Sequence, residues 1–375
     1  MNTDFVVLAA GEGKRMLGAA PKVLLPVAGK PMAQHALDTI SGIEKSRAIL
    51  VLGNQAKEVK KALNANKNTK TITQRKQLGT AHAVKMALPQ LRPGSVMVVL
   101  YGDVPLVGGK SLKKLIKSAE KGSLAILTFI KENPRGYGRI IRGSRNEVRA
   151  IIEEKDATKE QREIKEVNSG ILAIKSSLAK KLLPEIKNKN ASREYYLTDI
   201  VELAKNSGIK VQPLLLDDPD EALGANNAIE LQELERACQR LSAKRLVISG
   251  VNVADVNRLD IRGPFSANKG SFIDVNNVFE GKVEIGKNAK IGPNCYIKNS
   301  IIGDDVVVEA NTVIEDSIVG DFCKLGPFAR IRGGTKLEGR AELGNFVEVN
   351  RSKIGKSSKA KHLTYLGDSN LGTEV

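Results

Sequence analysis

The residues best suited to do chemistry lie at the start of the chain. An apolar run, Phe5-Val6-Val7-Leu8-Ala9-Ala10, leads into Gly11-Glu12-Gly13-Lys14-Arg15-Met16, and Pro21-Lys22 follow. A buried strand opening into a glycine turn, with cations close behind, suits a polyphosphate. Glycines let backbone N–H groups point at oxygen atoms, and Lys and Arg neutralise them. Two common phosphate loops are excluded. The dinucleotide fingerprint fails because Met16 stands where its third glycine belongs. The P-loop fails because Arg15 follows Gly13-Lys14 where Ser or Thr should hold magnesium, and Leu8 replaces its first glycine. What remains is L-x-x-G-x-G-x-R-M followed by P-K.

Three further constellations belong with this turn. Gln74-x-x-Gln77-Leu78-Gly79-Thr80 offers amide side chains and backbone groups to the edge of a base. Tyr101-Gly102-Asp103 ends the most apolar run, Val96–Tyr101, with one carboxylate. Far along the chain, Gly224-Ala225-Asn226-Asn227 supplies amide oxygens. A hard cation such as Mg²⁺ takes one or two protein oxygens plus phosphate and water, and Asp103 with Asn226 could supply them. Taken singly, a strand-terminal Asp is commonly a helix cap and Asn-Asn a turn.

These residues need elements to position them. Up to about residue 226, strand-like runs (Phe5–Ala10, Ala48–Leu52, Val96–Tyr101, Leu124–Ile130) alternate with helical patterns near Ala33–Ile40, Lys57–Leu63, His82–Leu88 and Leu112–Ala119. That alternation predicts an α/β sheet covered by helices, which binds ligands at the carboxyl ends of its strands. Gly11 and Gly102-Asp103 fall there. Around 228–249, Leu231, Leu234, Cys238 and Leu241 form one apolar stripe, which predicts a linker helix.

From about residue 250 an aliphatic residue, often followed by glycine, returns every six positions from Ile285 to Leu371. That period predicts a parallel β-helix with one short strand and turn per hexad. Five-residue steps from Ile297, Ile314, Val349 and Leu366 lie three hexads apart, or six, so the prism has three sides. Extended back to Ile273 and Phe279, the pattern predicts about six coils at the strand spacing of a sheet. The expected domains are therefore 1–227, a linker helix over 228–249, and 250–375.

Composition narrows the function classes. No apolar run approaches the ~18–20 residues of a membrane span, and the amino terminus lacks a secretory pattern. Three distant cysteines, Cys238, Cys295 and Cys323, form no C-x-x-C pair, which suits a reducing cytoplasm and no structural zinc. The net charge of +17 raises the question of nucleic acid. Its cations are scattered, however, and aromatics make up 4% with no tryptophan, so no stacking platform is visible. An anionic small substrate is the expected partner; neither nucleic acid nor membrane is.

The set L-A-A-G-E-G-K-R-M, P-K-V-L, Q-L-G-T-A-H-A, Y-G-D-V-P-L, G-Y-G-R-I, E-E-K-D-A-T, N-S-G-I-L, E-Y-Y-L-T-D-I and N-N, followed by hexapeptide repeats with H-L-T-Y-L-G-D, resembles the bacterial bifunctional N-acetylglucosamine-1-phosphate uridyltransferase/glucosamine-1-phosphate acetyltransferase family. The match runs from about Phe5 to the last residue. The resemblance implies a Rossmann-like nucleotidyltransferase domain and a left-handed β-helix, assembled as a cytoplasmic homotrimer. It implies that Leu8, Ala9, Ala10 and Gly11 cradle the nucleotide, with Arg15 and Lys22 on its phosphates. Gln74, Gly79 and Thr80 would read uracil, and Tyr101 and Gly102 would line the site. Asp103 and Asn226 would hold Mg²⁺, and Gly138, Glu153 and Asn168 would contact the sugar. The implied reaction joins UTP and N-acetylglucosamine 1-phosphate into UDP-N-acetylglucosamine, releasing pyrophosphate.

The family's second activity acetylates glucosamine 1-phosphate from acetyl-CoA. His362 matches its general base, and Arg332 and Tyr365 match sugar-phosphate contacts. Asn350 stands where the family usually has a lysine, with Arg351 adjacent as a substitute. The chain ends at Val375, inside the repeat, before the family's acetyl-CoA site. The expectation is strong uridyltransferase and little or no acetyltransferase activity unless the natural protein is longer. The competing readings are a pyrophosphorylase for another nucleotide sugar and a non-catalytic β-helix scaffold. Lys22, Asp103 and Asn226 together argue against the scaffold.

Overall fold

The computed structural model describes residues 1–11, 20–53 and 55–375. The chain divides into two compact units, Met1–Pro26 with Pro31–Leu234, and Val27–Lys30 with Glu235–Val375.

In the first unit Thr3–Ala9 is buried along its whole length, which is why Phe5–Ala9 reads as an uninterrupted apolar run. Phe5, Val7 and Ala9 enter one core layer, and Val6 and Leu8 the other. The sheet runs in the order Val211–Leu215, Leu124–Ile130, Glu166–Lys175, Val96–Tyr101, Thr3–Ala9, Ser46–Leu52, Lys70–Thr73. Glu166–Lys175 is antiparallel to both its neighbours; the other pairs along that path are parallel. Helices Met32–Ser41, Ala56–Ala62 and Gly109–Glu120 cover the Phe5 face, and Thr80–Ala87, Ser176–Leu182 and Ile200–Asn206 cover the Val6 face. A hairpin of Arg139–Arg142 and Val148–Ile152 joins through the pair Arg139–Val167.

At the end of the sheet away from Gly11, Asp4 is fully buried. Its carboxylate accepts from Arg47 Nε (2.6 Å), Arg92 Nε (2.7 Å), the Arg92 amide (2.7 Å) and Ser95 Oγ (2.9 Å). Burial pushes this carboxyl up, but the hydrogen bonds from Arg47, Arg92 and Ser95 outweigh it and hold the group below its ordinary range.

The second unit is a parallel β-helix with three faces. Apart from Asn252 with Phe272, which are 20 residues apart, successive strands on a face pair at a register of 18 or 17, as in Phe272 with Lys290 and Lys290 with Val307. Each coil therefore takes three hexads, and a five-residue step accounts for each 17. Ile285, Ile291, Ile297, Ile302, Val308, Ile314, Val319, Leu325, Ile331, Leu337, Leu343, Val349 and Ile354 are buried as the period requires. Burial of each such side chain contributes roughly 1.5–3 kcal/mol.

Each face has seven strands, so the expected six coils fall one short. The extra coil is Asn252–Val253, Leu259–Arg262 and Phe265–Ala267. Ile261 and Ala267 continue the six-residue spacing to Ile273, but alanine is too small to announce an inward position. This coil's outer strand would present a bare edge. Instead Gln239, buried on the helix Ala228–Ile248, accepts from the Ile261 N–H (2.8 Å) and donates to the Ile261 carbonyl (2.9 Å). Its amide stands in for a neighbouring strand.

Corner residues take a left-handed backbone at close to six-residue intervals. In the earlier coils these include Asn276, Asn294 and Asn311; in later coils the same corner carries Phe328, Phe346 and Leu363. Asn276 Nδ2 donates to Asn294 Oδ1 at 2.9 Å, and Phe328 stacks on Phe346 with ring centroids 5.3 Å apart.

Candidate active site

The carboxyl ends of the central strands carry the candidate site. A 3₁₀ turn, Lys22–Leu24, turns the Lys22 side chain into the protein, leaving it 9% exposed. Its ammonium donates to Asp103 Oδ2 and, at 2.8 Å, to Asn226 Oδ1. Asp103 is delivered by the strand Val96–Tyr101, whose next residue, Gly102, donates its N–H to the Leu8 carbonyl (2.9 Å). A Cβ at Gly102 would press on Val23, Ala9 and Leu8, so close strand packing fixes where Asp103 emerges. Asn226 is aimed by Glu230, whose Oε2 accepts both its backbone N–H (2.7 Å) and its Nδ2 (3.1 Å). The neighbouring Asn227 caps the helix: Glu230 N–H donates to its Oδ1 (2.9 Å) and its Nδ2 donates to Glu230 Oε1 (2.8 Å). Of the two asparagines, then, one caps and one faces the site.

A cavity of about 280 Å³ opens above Lys22 and Asp103. Leu8, Ala10, Gly11, Gln74, Gly79, Thr80 and Tyr101 line it, so most of the candidate nucleotide contacts share one space. Ala9 does not; its side chain belongs to the core. Arg15, with Gly13 and Lys14, lies outside the described residues.

At one wall Gln74 is 3% exposed and its Nε2 is 2.7 Å from His82 Nδ1. Burial and the nearby Lys85 cation lower the His82 pKa, favouring the neutral ring that can accept this hydrogen bond. Gly79 has φ +110°, and a Cβ there would lie 2.6 Å from the Tyr195 carbonyl oxygen. The segment around Tyr195 thus clamps the turn, and Thr80 Oγ1 accepts from the Leu197 N–H at 3.0 Å. Val23, Gln77, Ala83 and Glu194 also line the cavity and were not singled out as site residues. Gln77 Nε2 reaches the Ala10 carbonyl at 2.5 Å, tying the base-side loop to the glycine turn. Gln77 had a signal, its place in the Gln74–Thr80 cluster; Glu194 had none beyond its motif.

Toward the hairpin, Glu153 Oε1 accepts from Thr198 Oγ1 at 3.0 Å. Burial first, then the charges of Asp199 and Asp156, push the Glu153 carboxyl up, while the Thr198 hydrogen bond opposes them. The Gly138 carbonyl accepts from the Asn168 N–H at 2.9 Å, so these two candidates are backbone neighbours. Tyr101 lies between this group and Asp103; burial, Glu153 and Asp103 all push its phenol pKa well above the ordinary range. Gly170, at φ +82°, sits where the register shifts between Asn168 and Leu172, and a Cβ there would lie 2.6 Å from Tyr101 Cε2. Spacing alone did not mark Gly170, because its need for glycine arises from a ring on another strand.

Comparison with known proteins gives this geometry a family. The MobA-like NTP transferase domain matches residues 5–190, and the GMPPB C-terminal domain matches residues 261–368. The bifunctional protein GlmU of Marinobacter nauticus is 46% identical over 373 residues, covering 99% of this chain and 81% of that protein. GlmU of Burkholderia vietnamiensis is 44% identical over 372 residues, covering 99% and 82%. The chain belongs to the GlmU family.

Its first unit is accordingly a nucleotidyltransferase with nucleotide-sugar substrates and products, of the family that makes UDP-N-acetylglucosamine. Nucleotidyl transfer in this family calls for a divalent metal. The residues present fit one: a carboxylate oxygen of Asp103 and an amide oxygen of Asn226 converge on a single cation, here the Lys22 ammonium. Among the described residues no helix is long and apolar enough to cross a membrane.

In the second GlmU unit, Arg332 Nη1 donates to Glu348 Oε1 at 3.0 Å, and Tyr365 pairs in register with Glu348, so Arg332 and Tyr365 share one face. His362 ends the strand Lys359–His362, exposed, across the Leu363 corner from Tyr365. Asn350 is buried on the Tyr365 face, in register with Gly367. Beside it, Arg351 Nε and Nη2 donate to the two carboxylate oxygens of Asp368, each at 2.7 Å.

Proposed function

We propose that the first unit joins UTP and N-acetylglucosamine 1-phosphate, making UDP-N-acetylglucosamine and pyrophosphate for cell-wall precursor synthesis. The observation that carries this reading is the meeting of Lys22, Asp103 and Asn226 at the floor of the cavity lined by Gly11, Gln74, Gly79 and Tyr101. A phosphate oxygen of the sugar phosphate attacks the α-phosphorus of UTP. A new P–O bond forms as the α–β P–O bond breaks, and pyrophosphate leaves. The attacking oxygen is already anionic, so no general base is needed. Lys22 exchanges its carboxylate partner for phosphate oxygens, and Arg15 adds a second cation from the glycine turn. Gln74, Gly79 and Thr80 hold the uracil; Gly138, Glu153 and Asn168 hold the sugar; Leu8, Ala10, Gly11 and Gly102 bring backbone close to the nucleotide. Mg²⁺ on Asp103 and Asn226, once bound, neutralises phosphate charge in line with positioning and electrostatic catalysis.

The domain bounds proposed for this activity are 1–227, with 228–249 as linker helix and 250–375 as β-helix. A cytoplasmic setting fits the three buried free cysteines. A homotrimer is supported by the apolar corner of the β-helix, where Phe328, Phe346 and Leu363 are 49%, 56% and 78% exposed. Pyrophosphate release measured across the four nucleoside triphosphates and several sugar phosphates tests the reading. UTP with N-acetylglucosamine 1-phosphate must stand clear of every other pair; equal rates with another nucleotide or sugar refute it. Sedimentation of the wild type against Phe346→Asp tests the trimer.

A further inference from the structure

Among the described residues, Arg139 is the largest side chain essentially sealed from water, at 1% exposure. A guanidinium in that position must satisfy its donors internally, and each of its three nitrogens here finds an acceptor. Nη2 meets Glu154 Oε2 at 2.7 Å. Nη1 donates to the Tyr137 carbonyl, and Nε and Nη2 donate to the Arg162 carbonyl at 3.3 and 3.2 Å. The same Glu154 Oε2 accepts the Gly136 N–H at 3.1 Å, and Arg162 Nη2 returns to the Glu154 carbonyl at 3.4 Å. One planar cation therefore ties together the loop before the hairpin, the segment after it, and the short helix Lys159–Arg162.

The neighbours in sequence give this knot its meaning. Arg139 directly follows Gly138, and Glu154 directly follows Glu153. Gly138 and Glu153 also approach in space: a Cβ on Gly138 would lie 3.6 Å from Glu153 Oε1. The hairpin ladder, which pairs Arg139 with Ile152, brings Gly138 opposite Glu153; the Arg139–Glu154 pair ties the two strands just beyond that point, while Thr198 holds the Glu153 carboxylate.

We propose that Arg139 and Glu154 are positioning residues for the sugar phosphate: their buried ion pair sets the gap between Gly138 and Glu153. This rests on the assignment of Gly138 and Glu153 to the sugar. Neither Arg139 nor Glu154 touches substrate; they act through their neighbours, and the nucleotide side of the cavity lies outside their reach. The pair is a specificity device for one of the two substrates, distinct from the Lys22–Asp103–Asn226 cluster that serves both.

The test uses the full chain with Glu154→Gln, Glu154→Ala and Arg139→Lys, and varies each substrate at saturation of the other. Glu154 is partly exposed and Glu154→Gln keeps an acceptor for the buried Arg139, so thermal melts of each variant identify the folded ones in which KM is read. The KM for N-acetylglucosamine 1-phosphate is expected to rise about 10-fold in Glu154→Ala and less in Glu154→Gln, which keeps an acceptor, while the KM for UTP stays within about 2-fold. A parallel rise in both KM values, or no change in either, overturns the proposal. Glu153→Ala separates the two levels. If it raises the sugar-phosphate KM while Glu154→Ala does not, the positioning role falls and the sugar assignment stands. If neither variant moves that KM, the sugar assignment itself falls and takes the positioning role with it.

Discussion

The Lys22 ammonium is paired with the Asp103 carboxylate, and the Asn226 amide oxygen completes its surroundings at 2.8 Å. A cation is thus already seated where two hard oxygens meet. Lys22→Ala removes a charge that the leaving pyrophosphate needs and should lower turnover by roughly 10²–10³. It also frees Asp103, so the nucleotide-free variant should bind a divalent cation more tightly than the wild type. Mn²⁺ titration followed by electron paramagnetic resonance checks this, and Asp103→Ala should abolish the gain.

Gly170→Ala tests the fit behind Tyr101. The substitution combines a left-handed backbone with a Cβ 2.6 Å from the tyrosine ring. A destabilisation of about 1–3 kcal/mol is expected from the backbone alone. Displacement of the ring adds a fall in kcat/KM that Tyr101→Phe does not produce. Thermal melts beside initial rates separate the two effects.

Asp4 links folding to acid. Its folded carboxyl titrates below the ordinary range, so the stability it contributes is fully present above about pH 4 and is lost as pH falls through the depressed folded value. Asp4→Asn should cost about 3–5 kcal/mol at neutral pH, because Arg47 and Arg92 lose a buried partner. The deficit should shrink below pH 4 in urea titrations repeated across pH.

Asp199 has the opposite sign. Burial, then the charges of Glu202 and Asp156, push its carboxyl up to about 6. The folded state binds this proton more tightly than the unfolded one, so stability falls as pH rises from about 4 to about 6. Asp199→Asn should therefore raise the melting temperature at pH 7 and leave it nearly unchanged at pH 4.

Both architectures were legible because each imposes a period. The buried stretch Phe5–Ala9 had to be apolar throughout, and from Ile285 to Ile354 each inward β-helix position is filled by one aliphatic residue. The glycine turn, Lys22, Asp103 and Asn226 could be read because phosphate and metal chemistry demand those types near strand ends. What could not be read depends on partners remote in sequence. Gly170 is glycine because of Tyr101, Gln239 reads as one more solvent-facing amide until Ile261 is beside it, and Arg139 is indistinguishable from other arginines until its burial is known. Asn226 and Asn227 are adjacent and identical, and only Glu230 tells their tasks apart. The first coil escaped notice because Ala267 fills an inward position with a methyl group.

Gln239 has a bearing on assembly. A stack of identical rungs is a template, and any rung with open amides and carbonyls invites the next chain to continue it. By answering Ile261 with both halves of a carboxamide, this protein makes its first rung a terminus. End-to-end fibre growth through that surface would have to evict a buried glutamine first.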